Sequence, residues 1–289
     1  MNIPIHVGML LATIHLGMLT PSASLSVGTA RVVRQLHPTP THRTAQPAML
    51  TLDRRAVTTL APAAATYTLL VGSPDAATAA AGKVVVLGGA GFLGAHVAQL
   101  LVKEGATVVS VARSPADAQA ARVQKYLGAP LKIGYEVLDA SKDDLSGVLK
   151  GSSAVVSCVG VLPGDKNQRA GNGAVNEKIA AAAKAAGAER LVYVSVASAI
   201  ANGPGKFLFG DYVKGKAEAE AAVGANFGAS NSLILKPGII SGRPDPGPPG
   251  PPSVKEVPVE VIARAAVAGA LGRASGVADG ADEIAALAK

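Results

Sequence analysis

The stretch Lys-Val-Val-Val-Leu-Gly-Gly-Ala-Gly-Phe-Leu-Gly, residues 83–94, decides the fold of this chain. Its apolar run predicts a parallel strand that is buried on both faces. The glycines that follow, Gly88, Gly91 and Gly94, are spaced three residues apart. Between a strand and a helix, the first allows a tight turn, the second lets the backbone approach a diphosphate, and the third lets the helix pack closely. The stretch therefore predicts a dinucleotide-binding turn, although a tight turn without a ligand has the same local pattern.

Strand-like and helix-like segments alternate along the chain up to residue 236. We expect further strands at 107–113, 131–139, 154–160, 190–195 and 232–236, and helices at 115–126, 143–150, 173–186 and 211–223. This alternation predicts an α/β fold with a doubly wound parallel sheet of Rossmann type, in the strand order 3-2-1-4-5-6. After it we expect an irregular Pro/Gly-rich loop at 243–252, a helix at 259–271 and a frayed tail.

The first 81 residues differ in composition from the remainder. They contain five arginines, no lysine and two acidic residues, and 21–49 is rich in Ser, Thr, Ala and Pro. This predicts a largely disordered targeting presequence over 1–81 and a single domain over 82–289. Arg54 and Arg55, an uncharged stretch and Ala-x-Ala sites at 77–81 indicate a second signal, typical of plastid proteins sent towards thylakoids. The alternative to a second signal is a low-complexity transit sequence in which the Arg-Arg pair occurs by chance.

Charge, hydropathy and cysteine content narrow the partners. The net charge is +7; five arginines and two acids give +3 in 1–81, which leaves +4 for 82–289. No basic stripe is interleaved with aromatic residues, so we expect no nucleic acid partner. Neither 3–20 nor 56–72 suits a membrane span, so contact with a lipid surface would be peripheral. Cys158 is the one cysteine; we expect a small core residue and no metal site.

The end of the second predicted strand indicates the type of cofactor. The residues there are Ala112, Arg113 and Ser114, whereas a protein that prefers NAD(H) usually has an acidic residue for the ribose hydroxyls. An arginine can pair with a 2′-phosphate through charge-assisted hydrogen bonds. Arg113 therefore favours NADP(H) over NAD(H), unless it is simply an exposed residue at a strand end.

Tyr212 and Lys216 are the candidate reactive pair. They are four residues apart, so on a helix they share a face. A nearby ammonium stabilises a tyrosinate and lowers the phenol pKa from about 10. Such a tyrosine can give a proton to a carbonyl oxygen while a nicotinamide delivers hydride. The alternative is an ordinary pair on a helix surface.

Several motifs together resemble the short-chain dehydrogenase/reductase superfamily. They are the glycine turn at 88–94, Leu-Asp-Ala at 138–140, Val-Tyr-Val-Ser at 192–195, Tyr-Val-Lys-Gly-Lys at 212–216 and Leu-Lys-Pro-Gly-Ile-Ile-Ser-Gly at 235–242. Within the superfamily the chain is similar to an atypical branch. That branch contains the nucleotide-binding accessory subunit of mitochondrial complex I, plant plastid and mitochondrial relatives, and a fungal member linked to ubiquinone synthesis.

The resemblance implies roles for individual residues. A diphosphate would be wrapped by Gly88, Gly91, Phe92, Leu93 and Gly94. The adenine and its ribose would lie against Asp139, Ala140, Val159 and Gly160, and further cofactor contacts would come from Lys216 and Pro237. Tyr212 and Lys216 would be the active pair. The slot for a hydroxyl that holds the substrate oxygen falls near Ala197, so Ser198 or Ser195 would have to serve.

Two hypotheses about function follow. One is an NADP(H)-dependent oxidoreductase that acts on an apolar carbonyl or a quinone- or isoprenoid-type compound in an organelle. The other is a non-catalytic, nucleotide-bound assembly or stabilising subunit of an organelle membrane complex. The presequence favours the chloroplast, with thylakoid association, and leaves the mitochondrion as the alternative.

Overall fold

The structure is a computed structural model, and it describes residues 70–71, 82–203, 205–244 and 254–289. All of these residues fall in one compact unit, Pro62–Lys289. The predicted signals at 54–55 and 77–81 lie outside the described residues, as does most of the predicted loop at 243–252.

An eight-stranded sheet forms the centre of the described part of the chain. Its strands are β1 (Leu70–Val71), β2 (Lys83–Leu87), β3 (Thr107–Ala112), β4 (Gly134–Val137), β5 (Ser152–Ser157), β6 (Arg190–Val194), β7 (Ser232–Lys236) and β10 (Ala274–Asp279). Their order is β1-β10-β7-β6-β5-β2-β3-β4, and all neighbours are parallel except β1 and β10. Two short strands, β8 (Ile239–Ser241) and β9 (Glu256–Pro258), pair separately.

Helices cover both faces of this sheet. The longer ones are α1 (Phe92–Lys103), α2 (Ala116–Leu127), α5 (Ala174–Ala185), α8 (Gly210–Asn231), α9 (Val259–Ala270) and α10 (Ala281–Leu287). Short ones are α3 (Ser146–Leu149), α4 (Gln168–Asn172), α6 (Ser198–Ala201) and α7 (Gly205–Leu208). α1, α9 and α10 share one core, and α3, α5 and α8 share the other. None of the helices in these described ranges has the length and hydropathy to cross a membrane.

The apolar run of β2 follows from its place between these two cores. Val84 and Val86 belong to the core under α1 and α9, whereas Val85 and Leu87 belong to the core under α5 and α8. All four are completely buried. A central parallel strand must be apolar at every position for this reason.

The predicted doubly wound sheet is confirmed. The expected order 3-2-1-4-5-6 corresponds to β4-β3-β2-β5-β6-β7. The predicted frayed tail is wrong, because residues 274–287 form β10 and α10. β10 pairs with β7, and Ala278, Ile284 and Leu287 are buried in the α9 core. The predicted helix at 211–223 is longer, as α8 continues to a non-helical Gly228.

Candidate functional site

The glycines of the turn after β2 have no room for side chains at two positions, Gly88 and Gly94. Gly88 has a φ of +77°, and its N–H donates to the Val111 carbonyl at 2.8 Å. A Cβ on Gly94 would lie 2.2 Å from the Gly88 oxygen, so α1 could not pack as it does. The N-cap of α1 is Gly91, which makes no side-chain capping bond. The first amide N–H groups of α1 can therefore meet the oxygens of a diphosphate.

A cleft of about 1000 Å³ lies beside this turn, at the carboxyl ends of β2, β3 and β5. The strand order reverses there, and doubly wound sheets bind ligands at such points. The cleft brings together seven of the predicted cofactor residues: Gly88, Gly91, Arg113, Asp139, Ala140, Val159 and Gly160. Lining residues that the sequence did not single out include Ser114, Arg122, Ser141, Lys166, Asn167 and Gly171.

Cationic side chains and one unusual hydroxyl mark this cleft. Arg113, Arg122 and Lys166 all line it. Ser114 lines it too, and its hydroxyl is buried without a hydrogen-bond partner among the described residues. A buried polar group without a partner costs about 1–3 kcal/mol. An anionic ligand in the cleft would remove that cost.

Gln119 on α2 holds the edge of the cleft in place. This side chain is completely buried. Its Nε2 donates to the carbonyls of Ala112 at 3.3 Å, Ser114 at 2.9 Å and Glu136 at 2.8 Å. Its Oε1 accepts from the Ser110 hydroxyl at 3.1 Å. These bonds tie the segment between β3 and α2 to β4, so that segment has a fixed backbone.

Asp139 is held at the rim of the cleft by its own turn. Its Oδ1 accepts from the Ser141 hydroxyl at 2.6 Å and from the Ser141 N–H at 3.0 Å. Those bonds hold the pKa of the Asp139 carboxyl below its usual range, and Lys142 and Arg113 add to the effect. The carboxylate is therefore charged at neutral pH and can accept hydrogen bonds.

Lys216 is buried behind the wall of the cleft. Its side chain is 6% exposed, and its Nζ donates to the Val194 carbonyl at 2.9 Å. A Cβ on Gly160 would lie 3.3 Å from this Nζ, so the ammonium lies directly behind the Gly160 backbone. Burial lowers the pKa of Lys216 to about 8, and Cys158 and Glu220 partly oppose this shift. The alternative of an ordinary surface pair is wrong for this lysine.

Tyr212 lies near Lys216, but its electrostatics differ from the prediction. The Lys216 Nζ lies 5.8 Å from the centre of the Tyr212 ring. Burial raises the pKa of Tyr212 to about 12. The prediction that Lys216 lowers this pKa is wrong, because the ammonium is directed at a carbonyl and lies over the ring. Tyr212 is also not among the residues that line the cleft.

The two candidate serines lie away from the cleft lining. The Ser195 hydroxyl donates to the Glu220 carboxylate, so its proton is already engaged. Ser198 lines a second cavity of about 680 Å³, and its N–H donates to Asp279 at 3.0 Å. Pro237 is buried nearby, and its carbonyl accepts from the Ala197 N–H at 2.8 Å.

The side chains at the start of α1 pack against the protein rather than line the cleft. The Phe92 ring makes an edge contact with Tyr126 at 5.5 Å, and the Arg243 guanidinium lies 5.8 Å from its centre. Leu93 is 7% exposed and belongs to the α9 core. Phe92, Leu93 and Gly94 can therefore offer a ligand their backbone amides.

Two buried asparagines, which the sequence reasoning missed, shape the cleft loop after β5. The Asn172 Nδ2 donates to the Val161 carbonyl at 3.1 Å, and its Oδ1 accepts from the Val161 N–H at 3.3 Å. The Asn176 Oδ1 accepts from the Ser157 hydroxyl at 2.6 Å. Their i, i+4 spacing next to an alanine-rich helix was the available signal.

Cys158 follows β5 and lines the cleft while it packs against the core of α9. Burial raises the pKa of its thiol to about 12, so the thiol is neutral at physiological pH. Within the described ranges, no group of three or more His, Cys, Asp or Glu side chains is placed to hold a metal ion.

A doubly wound sheet, a glycine turn at its centre and a cleft where its strand order reverses define a Rossmann-type nucleotide-binding protein. The chain belongs to the NAD(P)H-binding family, whose sequence profile matches residues 88–274. This confirms the broad expectation of an NAD(P)-binding protein with a Rossmann-type fold.

The chain is also similar to individual known proteins. An uncharacterized chloroplastic protein of Arabidopsis thaliana is 32% identical over 161 residues, which are 56% of this chain and 51% of that protein. The chain thus spans about half the length of this curated relative. The Bordetella bronchiseptica enzyme WbmH in complex with NAD+ has a similar fold, with a TM-score of 0.55 and 19% identity over 69% of this chain and 75% of that one.

A second solved structure with this fold is UDP-glucuronic acid 4-epimerase from Bacillus cereus in complex with NAD. Its TM-score is 0.51, with 20% identity over 64% of this chain and 72% of that chain. At such identity the likeness concerns the fold, and the ligands named are those of the relatives.

Proposed function

We propose that this chain is an NADP(H)-dependent oxidoreductase that acts on an apolar carbonyl or a quinone- or isoprenoid-type compound in the chloroplast. The observation that carries the cofactor part is the set Arg113, Ser114 and Arg122 in the cleft lining. A 2′-phosphate could accept bonds from both guanidinium groups and from the otherwise unpartnered hydroxyl. NAD(H) has a neutral hydroxyl in place of this phosphate and would offer the two guanidinium groups no charge to pair with.

The remaining cofactor contacts follow the cleft. The backbone amides of Phe92, Leu93 and Gly94, beside the turn formed by Gly88 and Gly91, would hold the diphosphate. The Gly91 N–H already donates to the Gly88 carbonyl at 2.8 Å, so Gly91 would contribute through the shape of the turn. Asp139 and Ala140 would lie against the adenine, and Val159 and Gly160 against the ribose next to it. Lys216 would contact the nicotinamide ribose from beside Gly160. Pro237 would border the nicotinamide end of the cofactor. The proximity of the Lys216 Nζ to Gly160 supports this order along the cleft.

Tyr212 and Lys216 would form the reactive pair. A bound dihydronicotinamide supplies hydride to a carbonyl carbon. Burial keeps the Tyr212 phenol neutral, so it would hold the proton that the carbonyl oxygen needs. To stabilise the tyrosinate that results, the Lys216 ammonium would have to turn from the Val194 carbonyl towards the phenol oxygen. Ser198 or Ser195 would have to turn towards the substrate oxygen to assist.

The substrate class and the compartment have separate support. The apolar carbonyl or quinone class comes from the resemblance to the branch linked to complex I and ubiquinone synthesis. The chloroplast is supported by the presequence composition of 1–81 and by the chloroplastic Arabidopsis relative. Thylakoid association would follow from the Arg54-Arg55 signal, and mitochondrial import is the alternative. Import of the full chain into isolated plastids and mitochondria tests both.

The cofactor assignment is tested by titrating the protein with NADPH and with NADH. Wild type should bind NADPH about tenfold or more tightly than NADH, because charge-assisted bonds contribute about 1.5–3 kcal/mol each. Arg113→Ala should weaken NADPH binding at least tenfold and leave NADH binding unchanged. Arg264→Ala, which removes an exposed arginine on α9 outside the cleft lining, is the matched control. Equal affinities in wild type would refute the NADP(H) preference.

A second function, a nucleotide-bound assembly or stabilising subunit without catalysis, has specific support. Tyr212 is not in the cleft lining, and the Ser195 proton is engaged by Glu220. In both cases the side chain needed for catalysis is not available at the cleft, which favours a bound nucleotide that stabilises the fold and does not react. In that case the native protein should copurify in a stoichiometric membrane complex and should not oxidise NADPH with any member of a carbonyl and quinone panel. Turnover by the isolated monomer would contradict this function.

A further inference from the structure

Gln119 and Ser110 are two buried polar side chains beside the cofactor cleft. Both are completely buried, and neither is among the residues that line the cleft. Gln119 lies in the first half of α2, and Ser110 lies on β3. Burial of an amide and a hydroxyl is costly unless both are hydrogen-bonded, so their partners indicate what the pair does.

The carbonyls around the Gln119 amide fix its orientation. Its Nε2 has two N–H groups, and the nearest acceptors are the carbonyls of Glu136 at 2.8 Å and Ser114 at 2.9 Å. The Ala112 carbonyl, at 3.3 Å, is a third and more distant acceptor. In the reversed orientation the amide oxygen would face these carbonyl oxygens, which cannot donate to it. An apolar side chain of the same size could make none of these bonds.

These bonds hold the backbone on both sides of Arg113. Ala112 and Ser114 are its neighbours in the chain, and the Gln119 amide donates to the carbonyl of each. The Arg113 side chain lines the cleft, as does the Ser114 hydroxyl, which is buried without a partner among the described residues. The two groups proposed to meet a 2′-phosphate thus extend from a backbone that Gln119 holds.

Ser110 links this segment to the glycine turn. A Cβ on Gly89 would lie 2.6 Å from the Ser110 Oγ, so the backbone of the turn packs directly against this hydroxyl. The same hydroxyl donates to the Gln119 Oε1 at 3.1 Å. Through these two side chains, the segment 112–114 is tied to the turn that would hold the diphosphate.

We propose that Gln119 is a positioning residue that sets the preference for NADPH over NADH by holding Arg113 and Ser114 in place for the 2′-phosphate. This inference rests on the proposed NADP(H) preference and deepens it. Gln119 does not line the cleft, so it acts through these two residues. NADH has no phosphate at this position, and the glycine turn keeps its own bond to β3, from the Gly88 N–H to the Val111 carbonyl at 2.8 Å. Loss of the Gln119 amide should therefore leave NADH binding almost unchanged.

The experiment measures the affinities of NADPH and NADH by calorimetric titration for wild type, Gln119→Met and Gln124→Met. Methionine keeps the size of Gln119 but cannot donate to a carbonyl. NADPH affinity should fall about tenfold or more, the loss of at least one charge-assisted hydrogen bond, and NADH affinity should stay within about threefold of wild type. Gln124 is an exposed glutamine on the same helix outside the cleft lining, so Gln124→Met should keep the wild-type ratio of affinities.

A double-variant cycle tests whether Gln119 acts through Arg113. In the Arg113→Ala background, Gln119→Met should weaken NADPH binding by less than about threefold further, because the bond that it serves is already gone. Independent effects would multiply instead, and that result would overturn the positioning role.

An equal fall in both affinities would also overturn the inference, because it would show only a loosened fold. A wild-type ratio in Gln119→Met would do the same and leave the NADP(H) preference standing. If wild type itself binds both cofactors equally, the preference fails, and the role of Gln119 with it.

Should thermal melts show that Gln119→Met does not fold, Ser110→Ala decides in its place. It removes the donor to the Gln119 Oε1 and leaves the bonds to the carbonyls. Its ratio of NADPH to NADH affinity should fall by about threefold or more, the size of one neutral hydrogen bond. A ratio equal to that of wild type would overturn the inference.

Discussion

Gly94 illustrates how a single residue fixes the cofactor turn. Its absent Cβ lets the Gly88 oxygen and the Gly89 Cα approach to 2.2 and 2.8 Å of where that carbon would be. These neighbours are backbone atoms of the turn and cannot rotate away. The contact therefore sets the distance between α1 and β2, and with it the direction of the amide groups that would meet a diphosphate.

Gly94→Ala should consequently abolish NADPH binding and lower the melting temperature by several degrees. The alanine must push α1 away from β2, a case of overpacking that costs about 1–3 kcal/mol or more. Gly147→Ala is the matched control, because a Cβ there meets no atom within 4 Å. Calorimetric titration and thermal melts measure both effects. Binding by Gly94→Ala at wild-type affinity would contradict the close packing.

Lys216 should leave a signature in the dependence of stability on pH. Burial lowers its pKa from 10.5 to about 8, so between those values the unfolded chain holds the proton and the folded chain does not. The free energy of unfolding therefore rises with pH across that window, by about 1.4 kcal/mol for each pH unit. Below pH 8 both states hold the proton, and the burial penalty stays constant.

The comparison with Lys216→Met isolates this effect. Burial raises the pKa of Cys158 to about 12, which has the opposite sign, but that thiol is present in both proteins. The unfolding free energy of wild type minus that of the variant should rise between about pH 8 and pH 10 in urea titrations. A flat difference would mean that Lys216 titrates as it does in water.

Among the helices and strands, the sequence predicts features whose residues are close together along the chain. It does not predict features whose residues meet only in the folded protein. The β2 strand and its glycine turn are contiguous, and Arg113 directly follows β3. The sequence therefore predicts both the turn and the position of the arginine. It does not predict the bonds of Gln119, because the partners Ser110 and Glu136 lie on two strands that only the fold brings together. The bond between Ser195 and Glu220 spans β6 and α8 and was hidden for the same reason.

The strand at the end of the chain, β10, is difficult to predict from sequence because it is rich in small residues. Its sequence, Ala-Ser-Gly-Val-Ala-Asp, has little intrinsic preference for a strand. It becomes one because β7 offers an unpaired edge and α9 covers one of its faces. Tertiary context outweighs propensity here, and α10 then adds Ile284 and Leu287 to the core.

Ile284→Ala tests whether this last segment belongs to the folding unit. The side chain is completely buried, so its truncation should cost about 2–5 kcal/mol. Lys289→Ala, at an exposed position in the same segment, is the control and should cost much less. Urea unfolding followed by circular dichroism measures the loss. A cost below about 0.5 kcal/mol, the size of surface effects, would restore the idea of a frayed tail.

At the scale of the whole molecule, the cofactor cleft is confined to one stretch of chain. Every residue that lines it lies between Leu87 and Val175, on the β2–β5 half of the sheet. The Lys216 ammonium comes from α8 and is held by the β6 carbonyl of Val194. No cleft residue among the described ranges comes from the proposed presequence at 1–81.

A chain that begins at residue 82 should therefore bind NADPH within about twofold of the full chain. The change removes β1, which pairs with β10 at the edge of the sheet farthest from β4. The melting temperature should fall only slightly, because two strand residues are lost while both helical cores keep their members. Calorimetric titration and thermal melts of the two chains measure these effects. A loss of binding with an intact fold would place part of the cofactor site in residues 1–81 and would refute their proposed role as a separate targeting segment.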